Sequence, residues 1–567
     1  MMHIMDEKQA HLTWITSRKC LLLALPFLLI IFCLSLTPVI ERDALIHHLA
    51  LPKIWLKNGA FKIDTFRIFS FYPANLHILY YISLKMHLDF LSKFIHSSFL
   101  LLTSVLVYTY IKQHTNKIYL AVLAFILIIS IPINQRLASE SYVDLGLLFF
   151  SMLSLLYFLQ WKNSDFNSKK YFYISAIGSG LAIGTKYNGL IPFLIINFFV
   201  MFSFSRRKKE NLGSLMYGMQ FFTISFLLAS PWLIRNYYVS GGNPFYPLFH
   251  SIFPNSLNIL VPLYQDEYNE FLFRRASGES HLEIFLLPLR FFFTGEDNNF
   301  LQFDGKLNPM MLLLLPALFL PLPQRKNRYD NTSSDKLYLL IFSFFILFVS
   351  SQILSRTRYV IPIVPSLVIL NVLAIDKLLN FKNIYVIYFT FLLTAFYIGY
   401  NVKYTFEIFN KLNIYKYITL RETRESYLRR ELPLYTIYEF INKNTPQNAV
   451  IYDVLCGHRS YYVDREYIYA QSDLDTYFYN YAFQEKPASA YLEYLGNMRS
   501  SVHKVTHLLI KPAFFIDSFK EMFYDPDDPE GSINDKKLRN FIAFLNAQKM
   551  LFQADGAILY ELVYDNL

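Results

Sequence analysis

Cysteine is nearly missing from this chain. Cys20, Cys33 and Cys456 are the whole complement, the first two in or beside the first apolar run, so neither a disulfide framework nor a cysteine-rich metal site can be built. There is no Walker sequence and no strand–GxGxxG–helix unit, which leaves no nucleotide-binding loop. Acidic residues are scarce inside the long apolar runs, which counts against a transport path lined by intramembrane charge. The first apolar run follows Lys8, Arg18 and Lys19 and lacks a small-residue cleavage site, so it reads as a retained span rather than a removed signal peptide. Internal repeats and long low-complexity linkers are also lacking.

What the chain has in abundance is apolar length. It is 54% hydrophobic and 18% aromatic over 567 residues, and runs of ~20 apolar residues recur, the length a helix needs to cross a bilayer. That pattern predicts a polytopic helical membrane protein. The formal charge of +10 does not point to nucleic acid, because the basic residues cluster in short loops between apolar runs, where topology explains them. Candidate spans are 20–40, 94–111, 118–133, 141–160, 172–187, 189–204, 214–234, 309–322, 337–354, 359–376 and 384–402. The run 73–90 is short and carries His77, Lys85, His87 and Asp89. If it lies flat on the outer surface as an interfacial helix, the basic loops at 112–117, 162–170, 205–210, 323–328 and 377–382 share the N-terminal side. The positive-inside rule makes that side cytoplasmic. About eleven spans follow, with everything beyond residue 403 outside.

Residues 404–567 read as a separate extracytoplasmic domain following a transmembrane core over 1–403. Strand-like runs "AVIYDV" (449–454), "VTHLLIK" (505–511) and "GAILYELV" (556–563) alternate with helical patterns at 434–443 and 533–549, the latter opening at Ser532 or Asn534. Alternating helices and strands predict a small α/β layer domain.

With this topology five polar segments fall on the outer face. "PVIERDALIHHLALPKIWLKNGAF" (38–61) places Glu41, Arg42 and Asp43 at the exit of the first span. Its Leu45, Leu49, Pro52 and Leu56 have helical spacing, Trp55 suits an interface, and Asp43 and His47 stand one turn apart. "NQRLASESYVD" (134–144) spaces Arg136, Glu140 and Asp144 four apart, one polar stripe if the segment is helical. "GTKYNG" (184–189) sets Lys186 at a turn, "SPWLIRNYYVSGGNPFYPLF" (230–249) takes Arg235 into a Gly/Pro-broken loop, and "SRTRYVIPIVP" (355–365) puts Arg356 and Arg358 at a span end. Cations at that depth suit a lipid phosphate, and a carboxylate beside them suits a general base. Plainer readings stand alongside. Asp43 can be a helix cap, Arg136 and Glu140 an i,i+4 ion pair, Asp144 an acid favoured at a helix start, and the basic residues snorkelling anchors. His47–His48 lacks a third metal ligand, "SDLDTY" (472–477) is an acidic turn, and "DPDDPEG" (525–531) fails the EF-hand spacing.

Taken in order, several stretches resemble the GT-C class of membrane glycosyltransferases, nearest the bacterial protein-mannosyltransferase and aminoarabinose-transferase group. They are "ERDALIHHLALPKIWLKNG", "ASESYVDLGLLFF", "GLAIGTKYNGLIPF", "SPWLIRNYYVSGGNPFYPLF", "FDGKLNPMMLLLLP" (303–316) and "RTRYVIPIVPSL". "INKNTPQNAVIYDVLCGHRSYYVDR" (441–465) and "THLLI" (506–510) extend the likeness into the tail. Arg42 separates Glu41 from Asp43 where the family often sets two acids side by side, and Asn308 stands where relatives tend to have a small residue. The resemblance implies a multi-span core with surface helices in the first outer loop, in a membrane such as the bacterial inner membrane. It implies sugar transfer from a polyprenyl-phosphate donor on the outer leaflet to a lipid, glycan or protein acceptor, with membrane lipids as neighbours and no nucleic acid. Asp43 matches the family's catalytic acid, and Asp144, with Glu140 and Glu41, its acceptor- or metal-binding acids. Lys186, Arg235, Arg358 and Arg356 are the candidates for the lipid phosphate. A divalent cation is the one cofactor left open. Other readings compatible with the residues are a transporter or flippase, a non-catalytic scaffold of envelope polysaccharide assembly, and a ligase or polymerase using a pyrophosphate-linked donor.

Overall fold

The computed structural model describes residues 22–64, 67–249, 252–253, 270–321, 330–381, 383–469, 488–497, 504–513 and 532–564. The N-terminal cations Lys8, Arg18 and Lys19, the basic run 323–328, "SDLDTY" and "DPDDPEG" lie outside the described residues. The chain divides into two compact units, one of residues 1–37, 73–233 and 266–418, the other of 38–72, 234–265 and 419–567.

The first unit is helical, and each of the eleven apolar runs contains helix. Among the described residues six helices are long and apolar enough to cross a membrane: Leu91–Thr115, Asp144–Asn163, Tyr187–Lys208, Asn211–Ser240, Ser334–Ile353 and Ile384–Lys411. A seventh forms if Ile118–Ser130 and Pro132–Ala138, bent by 63°, count as one span. Leu22–Ser35 and Met310–Phe319 are shorter apolar helices, and Lys169–Thr185 and Ile363–Leu379 have 17 residues each. Asn75–Lys85, within the run read as interfacial, has 11 residues, about 16 Å of helix against the ~30 Å of a bilayer core.

The 63° bend has a local cause. Ile131 is extended ahead of Pro132, which starts the second piece, because proline disfavours helix in its predecessor and brings no N–H. Carbonyls freed by the break would be costly in an apolar medium. Asn134 Nδ2 donates to Ile128 O at 2.7 Å, and Gln135 Nε2 donates to Ile129 O. Elsewhere small residues let helices meet: Ser154 bonds Ser179 at 2.8 Å and Ser175 donates to the Ser154 carbonyl at 2.7 Å. Such contacts replace the hydrophobic drive that lipid removes. Helix Ile384–Lys411 is only 17% buried over its apolar window and exposes Tyr385, Phe391 and Leu392, an outward face suited to hydrocarbon rather than water.

The second unit holds a five-stranded sheet. Its strands are β1 (Val450–Val454), β2 (Glu466–Tyr469), β3 (His507–Ile510), β4 (Lys549–Ala554) and β5 (Ala557–Glu561), in the order β2-β1-β3-β5-β4. β1 runs parallel to β2 and β3, while β5 is antiparallel to both β3 and β4. The predicted strands are present, and β2 and β4 join them. Every residue of β1 and β3 is buried, as expected of parallel strands covered on both faces. Val450, Tyr452 and Val454 pack with Tyr491, Phe541 and Phe544. Ile451 on the other face packs with Ile437, Tyr438 and Ile441 of helix Tyr435–Asn444, joined by Ile46.

Ile46 belongs to the segment that follows the first apolar helix. There a π-helix, Ala44–His48, runs into helix Ala50–Asn58, which stops at the left-handed Gly59. Leu45, Leu49 and Pro52 are buried as their spacing predicts, while Leu56, the fourth of that set, is half-buried. Trp55 differs from its expected interfacial place: it is 1% exposed and its indole N–H donates to Lys62 O at 3.1 Å. Once that N–H has a partner, the large ring gains most by full burial.

Candidate functional site

The segment 134–144 does not form the single helical stripe its spacing suggests. Helix Pro132–Ala138 ends, residues 139–143 turn, and a new helix starts at Asp144. His96, from helix Leu91–Thr115, stabilises this turn. Its Nε2 accepts from Leu145 N at 2.9 Å, so its Nδ1 carries the proton and donates to Leu137 O (2.9 Å) and Glu140 O (2.8 Å). One imidazole thus satisfies groups on both sides of the break.

The break separates the acids into two sets. Glu140 turns to Arg136, 3.1 Å away, and Arg136 also reaches Asp304 at 2.9 Å and Asp297 at 3.4 Å. Tyr404 O–H donates to Asp297 at 2.7 Å. Asp144, 0% exposed, instead takes Lys186, whose Nζ stands 2.8 Å from Oδ1. Its Oδ2 is buried with no hydrogen-bond partner. Lys186 lies in extended backbone after helix Lys169–Thr185, and its Nζ is 4.7 Å from the centre of the Tyr359 ring. The Arg358 guanidinium is 5.3 Å from the same ring and 5.5 Å from that of Tyr142. Lys186, Asp144 and Arg358 therefore converge around Tyr359 at the ends of three helical segments. Arg356, half-buried, stacks on Phe300 at 4.3 Å instead.

The "GTKYNG" turn leaves no room for side chains at its glycines. A Cβ on Gly184 would sit 2.4 Å from Asn75 Nδ2, and one on Gly189 would sit 2.4 Å from the Ala182 carbonyl. Asn75 is held in turn by Trp232, whose indole N–H donates to Oδ1 at 2.8 Å. Asn308, 0% exposed, donates to Tyr397 O and to Asn401 Oδ1, and Asn401 donates to Ser130. Its amide ties together helices that a small residue would leave unlinked.

In the second unit, Asp43 stands at the N-cap position of the π-helix, but its side chain makes no capping bond, so the cap reading fails. Asp43 and Glu41 are half-buried, and the Glu41 carboxylate accepts from Ile40 N at 3.3 Å. π-Helical turns occur often at functional sites. His47 stacks on Phe69 (4.2 Å between centroids) and packs against His48 (4.0 Å). Arg235 lies within helix Asn211–Ser240, ahead of the Gly/Pro loop, and donates to Tyr72 O at 3.2 Å and to Asn236 Oδ1 at 3.1 Å. Among the described residues no group of three or more His, Cys, Asp or Glu side chains is arranged to hold a metal ion.

Sequence reasoning missed His96, Tyr142 and Tyr359. His96 had a usable signal, a titratable group inside a long apolar helix, which is costly unless it has work there. The two tyrosines are unmarked among 43 in the chain.

Residues 81–250 match the family model described as dolichyl-phosphate-mannose-protein mannosyltransferase. No curated protein matches the chain in sequence. Among solved structures, the chain is similar to ArnT from Cupriavidus metallidurans bound to undecaprenyl phosphate. The identity is 14% and the TM-score 0.56, with 97% of this chain and 98% of that one covered. The apo form of that protein gives 13% identity and a TM-score of 0.57, covering 97% and 99%. The Archaeoglobus fulgidus oligosaccharyltransferase in complex with zinc and sulfate gives 15% and 0.51, covering 96% of this chain and 73% of that one.

Proposed function

We propose that this chain, whose fold is that of the GT-C glycosyltransferases, transfers a sugar from a polyprenyl-phosphate donor to an acceptor hydroxyl at the outer face of the membrane. The observation that carries this reading is the pair of cations, Lys186 and Arg358, gathered with Asp144 around Tyr359. Cations shielded from bulk water hold a phosphate more strongly than solvated ones. The mannosyltransferase match over residues 81–250 contains Asp144 and Lys186, and the undecaprenyl phosphate bound in the ArnT structure supports a donor of that class.

The mechanism is a single displacement. The Asp43 carboxylate takes the proton of the acceptor hydroxyl, whose oxygen bonds to the anomeric carbon as the bond from that carbon to the phosphate oxygen breaks. The polyprenyl phosphate leaves with the electron pair, and the anomeric centre inverts. Lys186 and Arg358 meet the charge building on the phosphate, and Arg235 and Arg356 are secondary candidates for the same anion. Asp144 orients Lys186 and serves the acceptor side. The acceptor is a lipid, glycan or protein hydroxyl. The eleven-span topology, with the N-terminus cytoplasmic and residues 404–567 outside, belongs to this proposal.

The test is transfer from a panel of polyprenyl-phosphate sugars by purified protein, wild type beside Asp43→Asn. Transfer by the wild type that falls at least 100-fold in the variant, with folding unchanged, supports the reading. Transfer that survives removes Asp43 as the base, and no transfer by either protein overturns the donor class.

A further inference from the structure

The role of the C-terminal sheet follows from what it holds. Arg67, in the first outer loop, is 4% exposed. Its Nη1 donates to Ser460 Oγ at 2.7 Å, its Nη2 to Tyr467 O at 2.8 Å, and its Nε to Asp64 Oδ2 at 2.9 Å. The guanidinium also lies 4.7 Å from the centre of the Tyr469 ring. Only an arginine fork can make these separate bonds at fixed angles while stacking on an aromatic face. Tyr467 and Tyr469 belong to β2, and the Tyr467 hydroxyl is fixed to the buried carboxylate of Asp453 on β1 at 2.7 Å. Arg67 is therefore anchored to the parallel core of the sheet.

The same strand reaches the other side of the loop. The Tyr469 hydroxyl donates to the Ile46 carbonyl at 3.4 Å, inside the π-helix. Burial first, then Asp64 and Asp453, push that hydroxyl up against the pull of Arg67 to about 12, so it stays a donor at working pH. Tyr462 O–H donates to Val39 O at 2.7 Å. Lys53 Nζ donates to Tyr461 O at 2.7 Å and to Asp464 Oδ1 at 2.8 Å. Residues 460–469 thus grip the loop at Val39, Ile46, Lys53 and Arg67, and Asp43 lies between the first two. None of these bonds involves Asp43 itself.

We infer that Arg67 is a positioning residue, which with β2 clamps the π-helical segment bearing Asp43 and so sets where its carboxylate points. The C-terminal sheet is then a positioning element for the base. This rests on the reading of Asp43 given above. A base must lie within hydrogen-bond reach of the proton it takes, and a displacement of about 1 Å can cost 10²-fold in rate.

Arg67→Met and Tyr469→Phe in the full-length protein test it, with kcat, donor KM, the acid limb of the kcat–pH profile and hydrogen exchange at residues 44–49 as readouts. Arg67→Met is expected to lower kcat about 30-fold with donor KM within twofold, to shift the acid limb, and to speed exchange at 44–49. Arg67→Lys restores only part, and Tyr469→Phe, which removes one hydroxyl, gives a change of the same kind near threefold. If Arg67→Met does not fold, the Tyr469→Phe result decides. Unchanged exchange at 44–49 overturns the clamp. Faster exchange with unaltered kcat and pH profile overturns its positioning role. Exchange is read without turnover, so the clamp is judged separately even if Asp43→Asn retains transfer and the base reading itself fails.

Discussion

Lys186 Nζ lies 2.8 Å from Asp144 Oδ1, and Asp144 is fully buried. Removing one partner of a buried ion pair strands the other charge, at a cost of about 3–5 kcal/mol. Lys186→Met should therefore lose about that much in thermal unfolding. The double variant with Asp144→Asn should be more stable than the sum of the single losses by at least about 1 kcal/mol. The same lysine is the phosphate cation proposed above. Lys186→Gln should weaken binding of a polyprenyl phosphate about tenfold, the effect of losing roughly 1.4 kcal/mol. Additive stability losses would mean that the pair is not coupled.

Arg136 makes the opposite prediction for Glu140. Because Arg136 also holds Asp304 and Asp297, Glu140→Gln leaves the cation paired, at a cost of about 1–2 kcal/mol. Arg136→Met takes the shared cation away from three carboxylates, leaving Asp297 with the Tyr404 hydroxyl and Asp304 with the Asn298 N–H, and should cost about 3–5 kcal/mol. Transfer by Glu140→Gln should stay within about threefold of wild type, since a group outside the chemistry leaves ΔΔG‡ small. A 100-fold loss at unchanged stability would support the acceptor- or metal-binding role expected for Glu140 instead.

These pairings mark where the sequence stops being informative. Hydropathy alone locates the apolar runs, and "GTKYNG" reads as a turn because two glycines bracket its lysine. The four-residue spacing of Arg136, Glu140 and Asp144 is misleading. The turn at 139–143 is stabilised by His96, more than forty residues earlier, and no local pattern carries that. β4 is an edge strand with a bulge and no fully buried residue, so it lacks the apolar run that revealed β1, β3 and β5, while β2 buries Tyr467, Ile468 and Tyr469 behind a charged start, Arg465 and Glu466, that hides it. Trp55 looks interfacial because an indole suits a boundary, yet Lys62 O supplies its partner inside the fold.

Asp453 predicts the pH response of the C-terminal sheet. Burial alone would raise its carboxyl. His458, the Tyr467 hydroxyl and the Cys456 N–H together outweigh that and hold it below the usual carboxylate range. A carboxylate depressed in the fold contributes stability that is fully present above its unfolded value of about 3.9 and is lost as pH falls through the lower folded value. The protection of β1 amides, as exchange rates relative to the unfolded chain at the same pH, should therefore be constant from neutrality to about 4 and should fall steeply below it. Asp453→Asn should remove that dependence and cost about 2–4 kcal/mol at neutral pH, because the buried oxygens accept from Cys456 N, His458 N and Tyr467 O–H. A wild-type acid limb that persists in the variant would assign it to other carboxylates.

Gly184 tests whether the Lys186 turn depends on close packing. A Cβ there meets Asn75 Nδ2 at 2.4 Å, and Asn75 cannot swing away without breaking its bond from Trp232 at 2.8 Å. Gly184→Ala should cost about 1–3 kcal/mol by overpacking and should raise the donor KM, since Lys186 lies two residues on. Asn75→Ala alone should cost about 1–2 kcal/mol by orphaning the Trp232 N–H. Combined, the small side chain of the second variant makes room for the methyl of the first, so the double variant should melt well above the additive expectation and recover donor KM. Strict additivity would mean that the methyl is resisted by backbone instead, and that the turn's geometry does not run through Asn75.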